Sequence, residues 1–308
     1  MSLFLPEGNL INTEENQSYI NSPDKFADAL AKQKILEAKV LICDREHNLH
    51  LNLGGVKAVI PREEGALGIR EGTVRDIAVI SRVNRPVCFV ITDITTDGRG
   101  QPLVFLSRAK AQKMCFNNYI DTLISGDIVD AKVTRLESFG VFADIGCGIA
   151  ALMPIDRISV SRIEHPKERF TVGMNIKAVV NTIENGRISL SHKELLGTWR
   201  QNADMFTAGE TVTGIIRSVE SYGSFVELSP NLAGLAEPNP IVEKGMQASV
   251  FIKNIIPEKM KIKLIVIDTF AYNYAPKPPR YFFGGGHMDR FLYSPEDSDK
   301  LVVSEFCK

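Results

Sequence analysis

Residues 126–142 read GDIVDAKVTRLESFGVF, and residues 209–225 read GETVTGIIRSVESYGSF. The second stretch repeats the first at an offset of 83 residues, counted from Gly126 to Gly209, so the chain contains an internal repeat. Both stretches alternate apolar and polar residues, which predicts β-strands with one buried face. Each ends on an aromatic-Gly-x-Phe motif, which puts an aromatic residue where the alternation calls for a polar one.

The repeat continues beyond these stretches. The sequence Arg187-Ile188-Ser189-Leu190 recurs as Lys261-Ile262-Lys263-Leu264, and a weaker copy lies upstream, where Ala38-Lys39-Val40 matches Ala131-Lys132-Val133. The second full copy is shorter in the connection that runs from Asp156 to Phe170 in the first. Four or five short alternating strands with glycine turns predict a small barrel of roughly 65 to 75 residues for each copy.

Strand periodicity assigns the core of each barrel. The residues expected to face inward are Val129, Ala131, Val133, Val141, Ala143, Ile145, Ile176, Ala178, Val180, Ile188 and Leu190, then Val226, Leu228, Val250 and Ile252. Those expected to face outward include Phe142, Asp144, Phe225, Glu227, Phe251 and Lys253.

The predicted fold is therefore mainly β, with three tandem five-stranded barrels joined by short helical connectors. The expected parts are an N-terminal extension with a short helix (1–31), a divergent first repeat (32–113), a second repeat (122–197), a third repeat (205–268) and a tail rich in aromatics, Pro and Gly (269–308). Helices are expected from Ser22 to about Lys34, from Arg108 to Thr122 and from Glu194 to Phe206. Tyr281 to Gly286 is expected to form a strand that enters a loose turn.

Composition excludes several classes of protein. The chain has 308 residues, 44% hydrophobic and 24% charged, as in a globular protein. Its longest apolar runs are five residues, such as Val87 to Ile91, whereas a membrane-spanning helix needs roughly 18. Met1 to Pro6 lacks the pattern of a secretory signal, so a cytoplasmic protein is expected. Five cysteines without a CxxC pair predict reduced thiols.

Charge is distributed unevenly along a chain whose net charge is -1. Residues 1–31 hold 1 basic and 5 acidic residues, and residues 32–113 hold 14 basic and 9 acidic ones. The sequence contains no large basic field of the kind that holds duplex DNA through many phosphates. Any binding of nucleic acid must therefore rest partly on something other than charge.

Outward aromatic residues supply that second contribution. A ring exposed on a sheet offers a flat surface on which an unpaired base can stack, and nearby cations can contact the phosphates. The candidate RNA-binding residues are Phe139, Phe142, Lys132, Lys177 and Arg187 in the second repeat, and Tyr222, Phe225, Phe251, Lys253 and Lys261 in the third. The alternative is that these rings lie under a loop or a neighbouring barrel, or form protein contacts.

The aromatic-Gly-x-Phe motif, opened by Gly-[Asp/Glu]-x-Val and closed by [Arg/Lys]-Ile-x-Leu, resembles the RNA-binding repeat of the bacterial ribosomal protein S-one (S1) family. The resemblance covers about residues 32–268 and extends to Leu106-Ser107-Arg108 at the end of the first repeat. It implies an OB-fold for each barrel, binding of single-stranded RNA or mRNA, and association with the small ribosomal subunit. It also implies that Glu184 is an acidic residue on the RNA face.

The chain departs from this family pattern at several positions. Pro154 and Glu237 stand where family members often carry a His on the RNA face. The first repeat has no aromatic pair; its corresponding stretch runs from Cys43 to His50. The resemblance implies that early repeats can dock on the ribosome through protein contacts, so weak stacking and a docking role are expected there.

Three other motifs resemble parts of catalytic or metal-binding sites, but each lacks something that such a site requires. VFADIGCGIAA at 141–151 imitates the glycine turn of a methyltransferase, but Pro154 would break the helix that such a turn must open. Cys43, His47 and His50 have metal-ligand spacing without a fourth ligand nearby. His287 follows three glycines without a nucleophile or second base. Neither a cofactor nor a metal is expected.

The sequence thus favours a non-catalytic protein that holds unstructured mRNA near the small ribosomal subunit. A docking or regulatory factor that uses its barrels for ribosome or partner contacts is the alternative, and a methyltransferase-like enzyme is a remote one. No membrane association is expected. Trp199 is expected to pack between barrels. The aromatic tail, including Tyr272 and Tyr274, is expected to pack back on the last barrel, with contact to RNA or protein as the alternative.

Overall fold

The computed structural model describes residues 4–184, 186–271 and 275–306, so Tyr272, Tyr274 and Cys307 lie outside the described residues. The chain divides into two compact units, Met1–Leu123 with Asp144–Ala150, and Ile124–Ala143 with Ala151–Lys308. Three barrels account for nearly all the strands, which confirms the predicted fold class.

The first unit contains four helices and the strands of the first barrel. The helices are α1 (Glu14–Ile20), α2 (Phe26–Ala31), α3 (Ile77–Ile80) and α4 (Arg108–Asn118), with 3-10 turns at Pro23–Lys25, Arg62–Glu64 and Ile120–Thr122. The strands are β1 (Leu36–Lys39), β2 (Ile42–Cys43), β3 (Leu49–Leu53), β4 (Val56–Ile60), β5 (Pro86–Thr96) and β6 (Pro102–Ser107). Helix α1 is an addition to the expected elements, and its signal is Thr13, whose hydroxyl accepts a hydrogen bond from Asn16 N.

The first barrel closes through a divided first strand. The strand order is β1-β5-β6-β4-β3-β2, and only two residues separate β1 from β2. Strand β1 therefore pairs with β5 while its continuation, β2, pairs with β3. The result is a five-stranded ring with β4 and β6 parallel.

The second unit holds two closed barrels of the same topology. The second barrel consists of β7 (Ile128–Glu137), β8 (Gly140–Asp144), β9 (Ala150–Pro154), β10 (Asn175–Glu184) and β11 (Arg187–Ser191), with 3-10 turns at Ile155–Arg157 and Pro166–Glu168. After a 3-10 turn at Lys193–Leu196 and helix α5 (Trp199–Ala203), the third consists of β12 (Thr211–Glu220), β13 (Gly223–Ser229), β14 (Leu232–Ala236), β15 (Gln247–Ile256) and β16 (Lys261–Phe270), with a 3-10 turn at Pro257–Lys259. In both barrels the third and fifth strands run parallel, as in the first.

Strand periodicity predicts the barrel cores well. All eleven inward positions named for the second barrel are buried, and so are Val226, Val250 and Ile252 in the third, with Leu228 partly buried against that core. Trp199, which was expected to pack between barrels, is buried in the core of the third barrel.

The prediction that Asp144 faces outward is wrong, because this residue is only 2% exposed. Its carboxylate accepts hydrogen bonds from the backbone N–H groups of Glu7 (2.7 Å), Gly146 (2.8 Å) and Gly148 (3.0 Å). Burial and the nearby Glu7 carboxylate raise the pKa of Asp144 to about 7. Arg108 is fully buried and pairs with Glu7 at 2.6 Å, so the N-terminal segment is part of the interior of the first unit.

The prediction that Glu227 faces outward is also wrong, because this residue is only 5% exposed. It accepts hydrogen bonds from Arg217 of its own barrel (2.8 Å) and from Arg169 (2.5 Å) in the long connection of the second barrel. Arg217 also contacts Glu168 in that connection. Two arginines and two glutamates therefore join the second barrel to the third inside one unit.

The same connection makes further contacts with the third barrel. Ser161 N donates to Pro230 O (3.0 Å), and Val160 N donates to the side-chain oxygen of buried Asn231 (3.0 Å). The amide nitrogen of Asn231 donates to Lys193 O (2.7 Å) and Gly197 O (2.9 Å). The residues by which the second repeat exceeds the third thus lie at the junction between the two barrels.

The tail differs from its prediction in secondary structure, and it packs on the second barrel as well as on the expected third. Residues Tyr281 to Gly286 do not form a strand, because their backbone groups bond singly to the barrels, as in Phe282 N to Leu195 O (2.9 Å) and Ile128 N to Gly286 O (2.9 Å). The tail strands are β17 (Arg290–Leu292) and β18 (Val303–Glu305). Tyr293 packs on the third barrel, and Met288 and Phe306 pack near Val179 of the second.

Within the described residues, no helix has both the length and the apolar character needed to cross a bilayer.

The glycine of each aromatic-Gly-x-Phe motif is required by close strand packing. A Cβ on Gly140 would lie 2.4 Å from Met153 O, and one on Gly223 would lie 2.2 Å from Ala236 O. Gly140→Ala is expected to lower the free energy of unfolding by about 1–3 kcal/mol, because backbone must shift to admit the methyl group. Urea denaturation measures this change. Gly284→Ala is the control, since nothing lies within 4 Å of its Cβ position; equal effects of the two substitutions would contradict the packing argument.

Candidate nucleic-acid interface

A pair of aromatic rings marks the surface of the second barrel. Phe139 lies in the two-residue turn between β7 and β8, and Phe142 follows on β8. The ring centroids are 6.1 Å apart and the ring planes make an angle of 88°. Phe139 is 55% exposed and Phe142 is partly buried, so neither ring is enclosed in the barrel core.

The third barrel carries the same pair at the same place. Tyr222 lies in the turn between β12 and β13, and Phe225 follows on β13. Their centroids are 6.4 Å apart, with planes at 89°, and Tyr222 is 62% exposed. Two stretches of different sequence thus build one edge-to-face arrangement, in which the inner ring supports an outer ring that faces solvent.

Two of the predicted lysines are held by carboxylates. Lys177 on β10 pairs with Asp130 (3.0 Å), and Lys253 on β15 pairs with Glu237 (3.1 Å). Glu237 is the residue that replaces the family's common His, so at that position the third barrel has an exposed ion pair. Exposed pairs of this kind contribute little to stability and can exchange partners with a phosphate.

The remaining predicted residues occupy their expected strands. Arg187 and Glu184 are exposed and lie opposite each other where β10 meets β11. Lys132 is partly buried on β7, Lys261 is exposed at the start of β16, and Phe251 is partly buried on β15 opposite Ile265. Their part in RNA binding stays a prediction.

Arg135 is a cation that the sequence reasoning missed. Its guanidinium carbon lies over the Phe142 ring, 4.4 Å from the centroid, within the range of a cation–π contact. Strand parity sorts residues into faces but does not report a contact between side chains of neighbouring strands. The signal for it in the sequence is that a basic residue lies four positions before Phe139, the first aromatic residue of the motif.

The first barrel has a polar turn at the corresponding place. Asp44 accepts hydrogen bonds from Asn48 N (2.8 Å) and pairs with His50 Nε2 (2.8 Å). The His50 contact comes first among the causes that lower the pKa of Asp44 to about 2. Asp44 thus organises the Cys43–His50 turn that the sequence raised as a possible metal site.

The glycine-rich stretch after β8 is also a strand connection. It joins β8 to β9 and opens no helix. A Cβ on Gly148 would lie 2.1 Å from an Arg108 guanidinium nitrogen and 2.7 Å from a Glu7 carboxylate oxygen. Protein side chains fill the space that a nucleotide would need, so the geometry does not favour the methyltransferase interpretation.

Comparison with known proteins agrees with this geometry. Residues 122–193 match the family model of the S1 RNA binding domain. The small ribosomal subunit protein bS1 of Staphylococcus epidermidis is 33% identical over 200 residues, covering 60% of this chain and 50% of that protein. The second repeat is an S1 RNA binding domain, and the chain is similar to bacterial bS1 proteins.

Two further comparisons show how much of the chain is similar to known proteins. The bS1 protein of Leuconostoc lactis is 28% identical over 253 residues, covering 77% of this chain and 57% of that protein. The S1 match thus spans about half the length of these relatives. A crystal structure of a multidomain protein with nucleic acid binding domains from Streptococcus pneumoniae is 15% identical and covers 78% of this chain and 75% of that one, with a TM-score of 0.26.

A buried histidine ends the second S1 repeat. His192 Nδ1 lies 3.1 Å from Ile158 O and donates to it, so Nε2 is free to accept from the Tyr281 hydroxyl at 3.3 Å. That hydroxyl in turn accepts from Lys177 N (2.8 Å). Burial lowers the pKa of His192 to about 4, which keeps the ring neutral near pH 7.

The contribution of His192 to the free energy of unfolding should therefore fall as pH drops from about 6.5 to about 4. In this window the unfolded chain binds a proton on His192 and the folded chain does not, which costs about 1.4 kcal/mol for each pKa unit between the two states. Asp144, with its pKa of about 7, adds an opposite slope that both proteins share. Urea denaturation at several pH values should therefore show that the free energy of unfolding of the wild type falls with pH relative to that of His192→Gln. Parallel profiles for the two proteins would contradict the assignment.

Proposed function

We propose that this chain binds single-stranded RNA by stacking bases on the ring pairs of its second and third barrels. The observation that carries the proposal is the recurrence of a solvent-facing ring, backed edge-to-face by a second ring, in the same hairpin of two barrels. A core-packing role would require these rings to be buried, whereas Phe139 and Tyr222 are more than half exposed. Stacking is also tolerant of base identity, which suits unstructured mRNA.

The biological setting of the proposal is translation. The bS1 relatives bear the name of a small ribosomal subunit protein, and we infer that this chain acts in the cytoplasm, without catalysis, at the small subunit. Its role would be to keep mRNA unpaired and close to the ribosome.

The first barrel is the part proposed to contact the ribosome. It lacks a ring pair, and residues 32–113 hold 14 basic and 9 acidic residues, a surplus that suits ribosomal RNA or an acidic protein. Its surface also exposes large aliphatic side chains, including Ile42 (61%) and Ile77 (65%). Exposed apolar groups of this size often mark protein contacts.

Replacing the exposed rings tests the RNA proposal. Phe139→Ala and Tyr222→Ala are each expected to weaken binding to a short unstructured RNA by about 1–3 kcal/mol, because one stacking surface is lost. Fluorescence anisotropy measures the affinity, and thermal melting checks that stability is nearly unchanged. Phe270→Ala is the control, since Phe270 is 48% exposed but belongs to neither pair. Intact affinity in both ring variants would refute the proposal.

Sedimentation tests the ribosomal setting. In low salt the full chain is expected to co-sediment with small subunits, and Ile42→Asp with Ile77→Asp should reduce the bound fraction if the first barrel makes the contact. The Phe139→Ala protein serves as the control for recruitment through RNA stacking. A wild-type chain that stays in the supernatant would exclude the small subunit as a partner.

A further inference from the structure

The inner ring of the second barrel is covered on one face by an arginine. Arg135 on β7 places its guanidinium carbon 4.4 Å from the Phe142 centroid. Glu137 holds the guanidinium there, with its carboxylate oxygen 3.1 Å from Arg135 Nε. The Arg135 side chain is nevertheless 62% exposed, so much of its surface still faces solvent.

This arrangement limits where a base can lie. A base cannot stack on the covered face of Phe142 unless Arg135 leaves, which would break both the ring contact and the ion pair. A guanidinium is itself planar and delocalised, and unpaired RNA bases stack on Arg planes as well as on aromatic rings. The exposed stacking surface over Phe142 is therefore the guanidinium, with Phe139 presenting its own ring beside it.

The third barrel is built differently at this position. The residue that corresponds to Arg135 in the repeat is Ser218, which lies directly opposite Phe225 where β12 pairs with β13. A serine hydroxyl cannot cover a ring as a guanidinium does. The two ring pairs thus share their geometry but offer different chemistry to a base.

We propose that Arg135 is an RNA-binding residue that forms the middle layer of a stack of base, guanidinium and Phe142 ring. In the third barrel the base lies directly against the aromatic side chains. This inference rests on the proposed function, because it specifies how the second barrel contacts an unpaired nucleotide. It separates Arg135 from the predicted lysines, which have no planar group on which a base could stack.

The test compares Arg135→Lys with the wild type on two ligands, a short oligouridylate and an abasic ribose-phosphate oligomer of the same length. Lysine keeps the charge but loses the planar group, so binding to oligouridylate in low salt should weaken about tenfold, which corresponds to about 1.4 kcal/mol. Binding to the abasic oligomer should be nearly unchanged. Arg200→Lys is the matched control, because Arg200 on α5 is an exposed arginine paired with Asp204 that belongs to neither ring pair, and it is expected to keep its affinity for both ligands. Fluorescence anisotropy gives the affinities, and unchanged melting temperatures show that the exposed substitutions leave the fold intact.

Each other result has a distinct meaning. Wild-type affinity of Arg135→Lys for oligouridylate would reduce Arg135 to a simple charge and overturn the inference. Equal weakening on both ligands would assign it to phosphate contact, and tighter binding by Arg135→Ala would show that it shields the ring; both overturn the inference while RNA binding stands. If the wild type prefers oligouridylate no more than the abasic oligomer, base stacking itself fails, and the proposed function with it.

Discussion

A five-stranded barrel has room inside for only every second side chain of its strands, and this limit governs the rest of the molecule. Small and branched residues such as Ala131, Val141 and Ala178 fill the interior of the second barrel. A phenylalanine ring one position along the strand must therefore lie outside. Because strand side chains alternate with a period of two, a shift of one residue would reverse every assignment. The exposure of the motif aromatics thus follows from the core that excludes them.

Strand alternation made most of this arrangement predictable from the sequence. It identified the barrel cores, and the exposed positions of Phe139 and Tyr222 agree with it. It failed at Asp144 and Glu227, because their partners are distant in sequence: Glu7 lies 137 residues from Asp144, and Arg169 lies 58 residues from Glu227. Periodicity describes one strand at a time and contains no information about which loop will cover an outward residue.

The contact between Arg135 and Phe142 was unpredictable for a related reason. A cation–π contact depends on side-chain rotamers across a strand pair, and parity specifies only the face. The roles of Lys177 and Lys253 are likewise decided by neighbours, since each lies against a carboxylate. With charges balanced locally, the rings distinguish the proposed RNA surface from an ordinary polar one. The chain has a net charge of -1 although its proposed ligand is a polyanion. This agrees with binding that depends on the rings more than on charge.

The long connection of the second barrel has a consequence for how a strand of RNA would be held. By binding Glu227, Pro230 and Asn231, it makes the second and third barrels parts of one unit. A nucleotide bound at one barrel keeps the rest of its strand tethered near the other, so the second contact forms at a high effective concentration. Because the junction is already ordered, the complex loses little entropy in aligning the two barrels. Cutting the Arg169 link would then slow rebinding after partial release without altering either stacking surface.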